Sequence, residues 1–269
     1  PLADRYHIFA TDLIGFGDSG RKSIEPYFDV DLWVRQGVEM LEFLPDGPCG
    51  VSGHSLGGAI ALKVGAASDR VTHVLTSSTV GTSFPLTPAL DAFWDLPKDR
   101  EALREVMKNM MFDANAISDA MIEGRWKLLA QDGYAEYFDS MFGGDRQRYI
   151  DAAVVTDDEV AVLSNKKVSL IHGIEDKPCP AEETSIKLAE RMTHASLELI
   201  KNCGPNLPHN SLSVTSRQLP KFSGRKFRSE NQANTSYWKK CKTTRVLSRA
   251  YISPFGKLVL IAFHCITVS

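Results

Sequence analysis

The sequence contains no apolar run long enough to form a membrane-spanning helix, which needs about 20 largely apolar residues. The longest late run, residues 258–268, is interrupted by His264 and Thr267. The first residues, PLADRYHIFATD, lack the basic segment, apolar stretch and small-residue cleavage site of a secretory signal. We therefore expect a cytoplasmic protein with no membrane partner.

The cysteines are few and do not form a recognisable pattern. The five cysteines are an odd number and none are in a CxxC spacing, so neither a disulfide framework nor a zinc site is indicated. We expect reduced thiols and no bound metal. The cysteines are Cys49, Cys179, Cys203, Cys241 and Cys265.

Acidic residues are almost missing from the end of the chain. Although the net charge of the 269 residues is only −2, Glu230 is the only acidic residue after position 210. A basic tail can bind nucleic acid or an anionic surface. This tail has no recognisable nucleic-acid motif and follows an acidic body, so no specific nucleic-acid partner is expected.

Apolar strand-like segments alternate with helical patterns along the first 210 residues. The first strand enters a glycine-rich loop, residues 12–20, and a helix with Val34, Val38, Leu41 and Leu44 on one face follows, capped by Asp29 or Asp31. Such alternation predicts an α/β protein with a parallel sheet covered on both faces. The predicted strands are residues 6–11, 49–53, 71–77, 168–172 and 196–200.

Residues 83–156 interrupt this alternation with helical sequence rich in methionine and aromatic residues. These side chains could form an ordinary helical core, but a lid over one end of the sheet is the more economical interpretation. Methionine and aromatic side chains suit a pocket for a flat apolar substrate. The chain then divides into a core (1–82), a lid (83–156), a second core segment (157–210) and a basic tail (211–269) of undetermined structure.

A G-x-S-x-G pentapeptide, residues 53–57, lies between a predicted strand and a predicted small-residue helix. In that context it predicts a tight strand-to-helix turn that presents the Ser55 hydroxyl above the sheet edge as a nucleophile. The amide of Leu56, at the start of the helix, could then donate to a developing oxyanion. The alternative is a glycine-bearing turn with an incidental serine.

A serine nucleophile needs a base that is oriented by a carboxylate, in the chain order serine, acid, histidine. Asp176 follows a predicted strand and is the expected acid; Glu175 is a competitor that we expect to face solvent, and a simple turn aspartate is the other interpretation. His172 and His54 are not placed to make both hydrogen bonds that the base requires.

On these residues the chain resembles the α/β-hydrolase superfamily and, within it, the meta-cleavage product hydrolases. The resemblance covers residues 1 to about 205. It is carried by DLIGFGDSG (12–20), GHSLGG (53–58), SSTVGTSFPLT (77–87), ISDAMIEGRW (117–126), GYAEYFDSMFGGDRQRYIDA (133–152) and IHGIEDKPCP (171–180).

The resemblance implies cofactor-free hydrolysis of a carbon–carbon bond in 2-hydroxy-6-oxohexa-2,4-dienoates, small-molecule products of catechol ring fission. Arg125 matches the lid arginine that such enzymes direct at the substrate carboxylate; otherwise it is an exposed helix arginine paired with Asp119 or Glu123. Trp126, His54 and Phe84 complete the substrate-binding residues that we predict. A carboxylesterase is the alternative activity, and a homo-oligomer is left open.

The sequence departs from the family in three places. After Cys203-Gly204 the family has the catalytic histidine, whereas this chain has Pro205, which leaves His209 as the nearby substitute base. The chain starts at what resembles the fourth strand of the fold, so the first strands, and the loop that gives the second oxyanion donor, are expected to be missing. Residues from about 211 onward do not match. A catalytically impaired hydrolase-fold protein is therefore a further alternative.

Overall fold

The computed structural model describes residues 6–130, 133–205 and 258–264, with only the backbone described for residues 6–7 and 258–264. Six parallel strands form one sheet in the order β1-β6-β2-β3-β4-β5. The five strands predicted along residues 6–200 are confirmed. The strands are β1 Tyr6–Asp12, β2 Cys49–His54, β3 Val71–Ser77, β4 Lys167–Gly173, β5 Ser196–Ile200 and β6 Leu258–His264.

Helices connect and cover these strands. Helix α1 follows β1, α2 follows β2, α3 to α8 lie between β3 and β4, and α9 joins β4 to β5. Their bounds are α1 Val30–Glu42, α2 Leu56–Ala67, α3 Pro88–Trp94, α4 Arg100–Asn109, α5 Asp119–Leu129, α6 Tyr134–Phe142, α7 Gln147–Ala152, α8 Asp157–Leu163 and α9 Ser185–Arg191, with a 3-10 turn at Ala114–Ala116.

Helix α1 begins as expected, and its buried face is broader than the predicted one. Asp29 caps the helix, its side chain accepting a hydrogen bond from the Leu32 amide at 2.9 Å. Of the predicted face, Leu41 and Leu44 are buried and Val34 and Val38 are half-buried against the core, whereas Trp33, which was not predicted, is fully buried. The indole of Trp33 donates to the Ile14 carbonyl at 2.8 Å, and this contact joins α1 to the glycine-rich loop.

Helix α2 is buried on almost every side because its residues are small. Gly65 lies so close to β3 that an added Cβ would be 2.6 Å from a methyl group of Val74. The amino group of Lys63, also nearly buried, pairs with Glu159 of α8 at 3.0 Å, which compensates for the charge that the packing encloses. The helix is thereby held tightly against the sheet that carries Ser55.

Helices α3 to α7 occupy the segment expected to form a lid. Their aromatic side chains pack on one another and on the glycine-rich loop: the Trp94 and Phe142 rings stack at 5.5 Å, and Phe16 lies 6.5 Å from Phe142. The role of this segment as a lid stays a prediction. Among the helices described, none has the length and apolar character required to cross a bilayer.

Candidate active site

Ser55 is the junction between β2 and α2 and has an unusual backbone conformation. Its φ is 54° and its ψ is −121°, a region in which a residue with a side chain is strained. The conformation is held from both sides, since the Ser55 amide donates to the Ser77 carbonyl at 3.0 Å and the Ser55 carbonyl accepts from the Gly58 amide at 2.9 Å. The side chain is thereby presented at the carboxyl edge of the sheet.

Gly53 makes this turn sterically possible. A Cβ at position 53 would lie 1.9 Å from the Gly57 carbonyl oxygen and 2.6 Å from the Gly58 nitrogen. Because both atoms belong to the backbone, they cannot move aside without displacing α2. The first glycine of the motif therefore permits the helix to start directly behind the strand.

Asp176 is buried just beyond β4, where parallel strands bring their carboxyl ends together. One carboxylate oxygen, Oδ1, accepts from the Cys179 amide at 2.9 Å. The other, Oδ2, is buried and has no hydrogen-bond partner among the described residues. It lies 3.2 Å from His172 Nε2. A buried acceptor without a donor is costly, so Oδ2 is suited to receive an N–H from another group.

His172 does not act as that donor, because both its nitrogens are already engaged. Nε2 lies 2.8 Å from the Cys179 carbonyl oxygen, which can only accept, so Nε2 carries the proton and directs it there. Nδ1 is then the acceptor for the Ser185 hydroxyl at 2.6 Å. The imidazole is fully buried behind Asp176 and supports the Asp176–Cys179 turn.

Glu175 points away from the cavity and binds the loop after β5. Its carboxylate accepts from the Cys203 amide at 2.8 Å, and its own amide donates to the Cys203 carbonyl at 3.1 Å. The side chain is half-buried rather than solvent-facing. This pair of hydrogen bonds holds the loop so that Pro205 lines the same cavity as Ser55 and Asp176.

The described part of the site has no histidine at the position where the family resemblance puts the catalytic base. Pro205, at the place where the family resemblance puts the histidine, has no group that can take a proton. His54 lines the cavity, and its Nδ1 is hydrogen-bonded to the Ser77 hydroxyl at 3.0 Å. His209, the substitute base suggested by the sequence, lies outside the described residues.

The cavity above Ser55 is walled mainly by apolar and aromatic side chains. Besides the groups already described, it takes residues from the glycine-rich loop and from the helices between β3 and β4. The sequence indicated such an aromatic pocket, but the rings that line it are not the two that were predicted to bind substrate. The apolar lining residues include Phe16, Phe28, Leu90, Phe93, Trp94, Met110, Phe138, Phe142, Tyr149 and Ile150.

Arg125 is a cationic side chain of this apolar cavity and is only 8% exposed. Burial lowers the pKa of Arg125 to about 10, so the guanidinium is still charged at neutral pH. Its charge lies 5.3 Å from the centre of the Phe93 ring. The expected alternative of an exposed surface arginine is wrong, and Asp119 and Glu123 pair instead with Arg104 and Arg100.

The cavity brings together Ser55, Leu56, Asp176, Arg125 and His54, but two of the predicted substrate-binding residues do not line it. Trp126 lies beneath the guanidinium of Arg100, 5.1 Å from ring centre to charge. Phe84 is buried in an apolar cluster whose members Leu90 and Ile150 line the cavity, although Phe84 itself does not. Adjacent helix residues point about 100° apart, and in α5 it is Arg125 rather than Trp126 whose side chain lines the cavity.

Cys179 was not predicted as part of the site. Its side chain is buried in the cavity wall and hydrogen-bonds with Ser55, while burial and the nearby Asp176 charge raise the pKa of the thiol well above its usual value. The thiol is therefore neutral, and it can exchange a weak hydrogen bond with the serine hydroxyl. No group of three metal-ligating side chains occurs within the described part of the chain.

Comparison with known proteins identifies the family to which the chain belongs. The family model described as the alpha/beta hydrolase family matches residues 1–214. The chain belongs to the alpha/beta hydrolase family. Members of this family that match it are enzymes, and the expected fold class, a parallel sheet flanked by helices, is confirmed.

Individual relatives of the hydrolase share a more specific description. A protein of Pseudomonas sp. strain CF600 named 2-hydroxymuconate semialdehyde hydrolase is 31% identical over 204 residues, 76% of this chain and 71% of the relative. A 2-hydroxy-6-oxo-2,4-heptadienoate hydrolase of Pseudomonas putida strain F1 is 30% identical over 76% of this chain and 73% of its own length.

A solved structure agrees with the sequence relatives. The meta-cleavage product hydrolase of Pseudomonas fluorescens IP01 superposes with a TM-score of 0.69 at 28% identity, covering 76% of this chain and 74% of that one. The resemblance to meta-cleavage product hydrolases that the sequence motifs indicated is thereby confirmed.

Proposed function

We propose that this hydrolase cleaves a carbon–carbon bond in 2-hydroxy-6-oxohexa-2,4-dienoates, with Ser55 as nucleophile. The observation that carries the proposal is that Ser55, Asp176 and Arg125 line one largely aromatic cavity. A flat conjugated substrate with a single carboxylate matches this lining, because apolar walls accept the dienoate and one buried cation orients it. The names of the relatives support the same substrate class.

Arg125 would bind the substrate carboxylate. A guanidinium offers two parallel N–H donors to a carboxylate, and this pairing is strongest where water is excluded. Arg125 lies on α5 and Ser55 at the sheet edge, and both line the cavity. Anchoring one end of the substrate at Arg125 therefore directs its other end, which carries the C6 ketone, toward Ser55.

Cleavage requires the electrons of the broken bond to be accepted by the dienoate. The dienol first ketonises, moving a proton to C5, and the Ser55 oxygen or a water molecule then adds to the C6 carbonyl. The Leu56 amide at the N-terminus of α2 would stabilise the resulting oxyanion. Collapse breaks the C5–C6 bond, releasing a hydroxypentadienoate. The other product is a small carboxylic acid, released directly after water attack or by hydrolysis of the acyl-serine.

Both steps need a group that moves a proton, and Asp176 would orient such a group with Oδ2. In the described part of the chain, Pro205 lines the same cavity as Asp176 and Ser55. That observation favours a second candidate, a hydrolase-fold protein that binds the same ligands but turns them over slowly. A carboxylesterase is a further alternative, which substrate preference separates from the proposed activity.

The test measures loss of the absorbance of a yellow ring-fission dienoate by the full-length protein, beside release of p-nitrophenol from a p-nitrophenyl ester. We expect the dienoate to be preferred and Ser55→Ala to lower turnover by at least about 10³-fold. Ser140→Ala, at an exposed position of α6, is the matched control and should have no effect. Preference for the ester would support the carboxylesterase. Binding of the dienoate without turnover would support the impaired protein.

A further inference from the structure

Strand β6 occupies an unexpected position in the sheet. It lies between β1 and β2 and is parallel to both, with residues 6–12 of β1 paired to residues 258–264 and residues 49–53 of β2 paired to residues 259–263. In the described sheet, β6 is the only neighbour of β1. The last part of the chain therefore connects the first strand to the rest of the sheet.

The two strands that flank β6 both lead into the cavity. β1 continues into the glycine-rich loop that places Phe16 in the cavity wall, and β2 continues into Ser55. Neighbouring strands are about 4.8 Å apart, so the width of β6 sets the distance between these two walls. Gln36 of α1 also holds the start of the loop through hydrogen bonds of 3.0 Å to Ile14 and Asp12, but among the strands that the structure describes only β6 is paired with β1.

The sequence of β6 suits a central strand. LVLIAFH is almost continuously apolar, a pattern typical of parallel strands that are covered on both faces. Without β6, the facing edges of β1 and β2 would each leave a row of backbone N–H and C=O groups unpaired within the sheet. The gap between β1 and β2 is thus a slot of one strand's width.

We propose that residues 258–264 fill this slot from within the same chain, and that they thereby hold the Phe16 wall of the cavity in place. Pro205 lies at the carboxyl edge of the sheet, whereas a parallel strand must begin at the opposite edge. Such a crossover requires a dozen or more residues, and residues 206–257 exceed that length. The proposal concerns the sheet and does not depend on the proposed function.

An engineered disulfide tests the pairing register of β6 and whether this strand comes from the same chain as β1. Ala10 pairs with Ala262, and paired residues of neighbouring strands are close enough for a disulfide. We expect Ala10→Cys combined with Ala262→Cys to oxidise to an intramolecular cross-link in a full-length Cys265→Ser background. The matched control, Ala10→Cys with Leu260→Cys, is displaced by two residues and should not cross-link.

The cross-linking results separate the alternatives. A disulfide-linked dimer would show that a second copy supplies the strand and would overturn the proposal. Absence of a cross-link in the matched pair, or equal cross-linking in the displaced pair, would show that β6 does not occupy this register and would overturn it as well. Non-reducing electrophoresis followed by peptide mapping distinguishes these outcomes.

Hydrogen exchange tests the dependence of β1 on β6. A proline at position 261 removes a backbone donor from the middle of β6. We expect Ile261→Pro to raise exchange in residues 8–12 by about 10²-fold or more while β3 and β4 keep their protection; Ile261→Val should change neither. Unchanged protection of β1 would overturn the proposal. If the proline variant unfolds completely, cross-linking of the Ala10→Cys, Ala262→Cys protein decides whether β6 occupies the proposed position.

Discussion

Glu175 and Cys203 exchange two hydrogen bonds, one from the Cys203 amide to the Glu175 carboxylate and one from the Glu175 amide to the Cys203 carbonyl. The first is 2.8 Å long and the second 3.1 Å. Together they join the loop after β5 to the turn after β4. Because Asp176 is the next residue after Glu175 and Pro205 is two residues after Cys203, this link decides which groups meet beside Ser55.

Removal of the Glu175 carboxylate should loosen that link. We expect Glu175→Ala to lower the free energy of unfolding by about 1–3 kcal/mol, because the Cys203 amide loses its acceptor in a partly buried place. Glu175→Gln keeps an acceptor oxygen and should recover most of the loss. Exposed Glu182 is the control, with Glu182→Ala within about 0.5 kcal/mol of the parent. Equal urea midpoints for Glu175→Ala and the parent would refute this role.

Pro205→His should place an imidazole beside Ser55 and Asp176. General-base catalysis typically contributes about 10²- to 10⁴-fold, so we expect a gain of at least about 10² in kcat/KM. The gain should increase with pH through about 6.5, since the imidazole must be neutral to accept a proton. Pro205→Gln, whose amide cannot act as a base, is the control. A folded histidine variant that is no faster than the glutamine variant would count against the proposed site.

Arg125 should matter only for substrates that carry a carboxylate. Charged hydrogen bonds contribute about 1.5–3 kcal/mol, so Arg125→Met should raise KM for the dienoate by roughly 10- to 150-fold. Hydrolysis of an uncharged p-nitrophenyl ester should change little. Lys127→Met, at an exposed position of the same helix, is the control. Equal losses on both substrates would indicate a structural role for Arg125 instead.

Two glycines should respond to alanine in opposite directions. Gly53→Ala introduces a Cβ only 1.9 Å from a backbone oxygen, and we expect a loss of stability of about 3 kcal/mol or more, together with loss of activity. Gly124 lies in α5 with no atom within 4 Å of an added Cβ. Gly124→Ala should therefore stabilise the protein by about 0.5–1 kcal/mol. A tolerated Gly53→Ala would contradict the close approach of β2 and α2.

His73 should make stability depend on pH. Burial, with the charge of Lys167, lowers the pKa of His73 to about 4 in the folded protein, whereas an unfolded histidine has a pKa of about 6.5. Between these values the unfolded state binds more protons, so stability should fall as the pH decreases from about 6.5 to about 4. Urea midpoints across this range should fall less steeply for His73→Gln. His194→Gln, at an exposed position, should retain the slope of the parent.

Local patterns predicted the strands and the turn at Ser55 because each depends on neighbouring residues. A short apolar run between turn residues indicates a strand wherever it lies, and glycines on both sides of Ser55 are needed whatever surrounds the turn. Asp176 was predicted at the same sheet edge as Ser55 because the carboxyl ends of parallel strands lie at one edge. Glu175 was wrongly expected to face solvent, because its partner Cys203 is distant in sequence.

The orientation of helices was predicted less well. The apolar spacing of α1 predicted Leu41 and Leu44, which are buried, and Val34 and Val38, which are half-buried. It did not predict Trp33, which is fully buried and donates to the Ile14 carbonyl. In α5 both Arg125 and Trp126 were predicted to bind substrate, but only Arg125 lines the cavity. The rotation of each helix follows from packing against distant residues, and no local pattern contains that information.

The chain order by itself determined an α/β sheet and a serine at a strained turn, together with the carboxylate that follows a later strand. These features depend on steric rules that operate over a few residues. Only the tertiary structure decided that Arg125 is buried, that Pro205 enters the cavity, and that β6 lies between β1 and β2. Each of these depends on contacts between segments far apart in the chain, where the free energy of packing the whole molecule selects one arrangement.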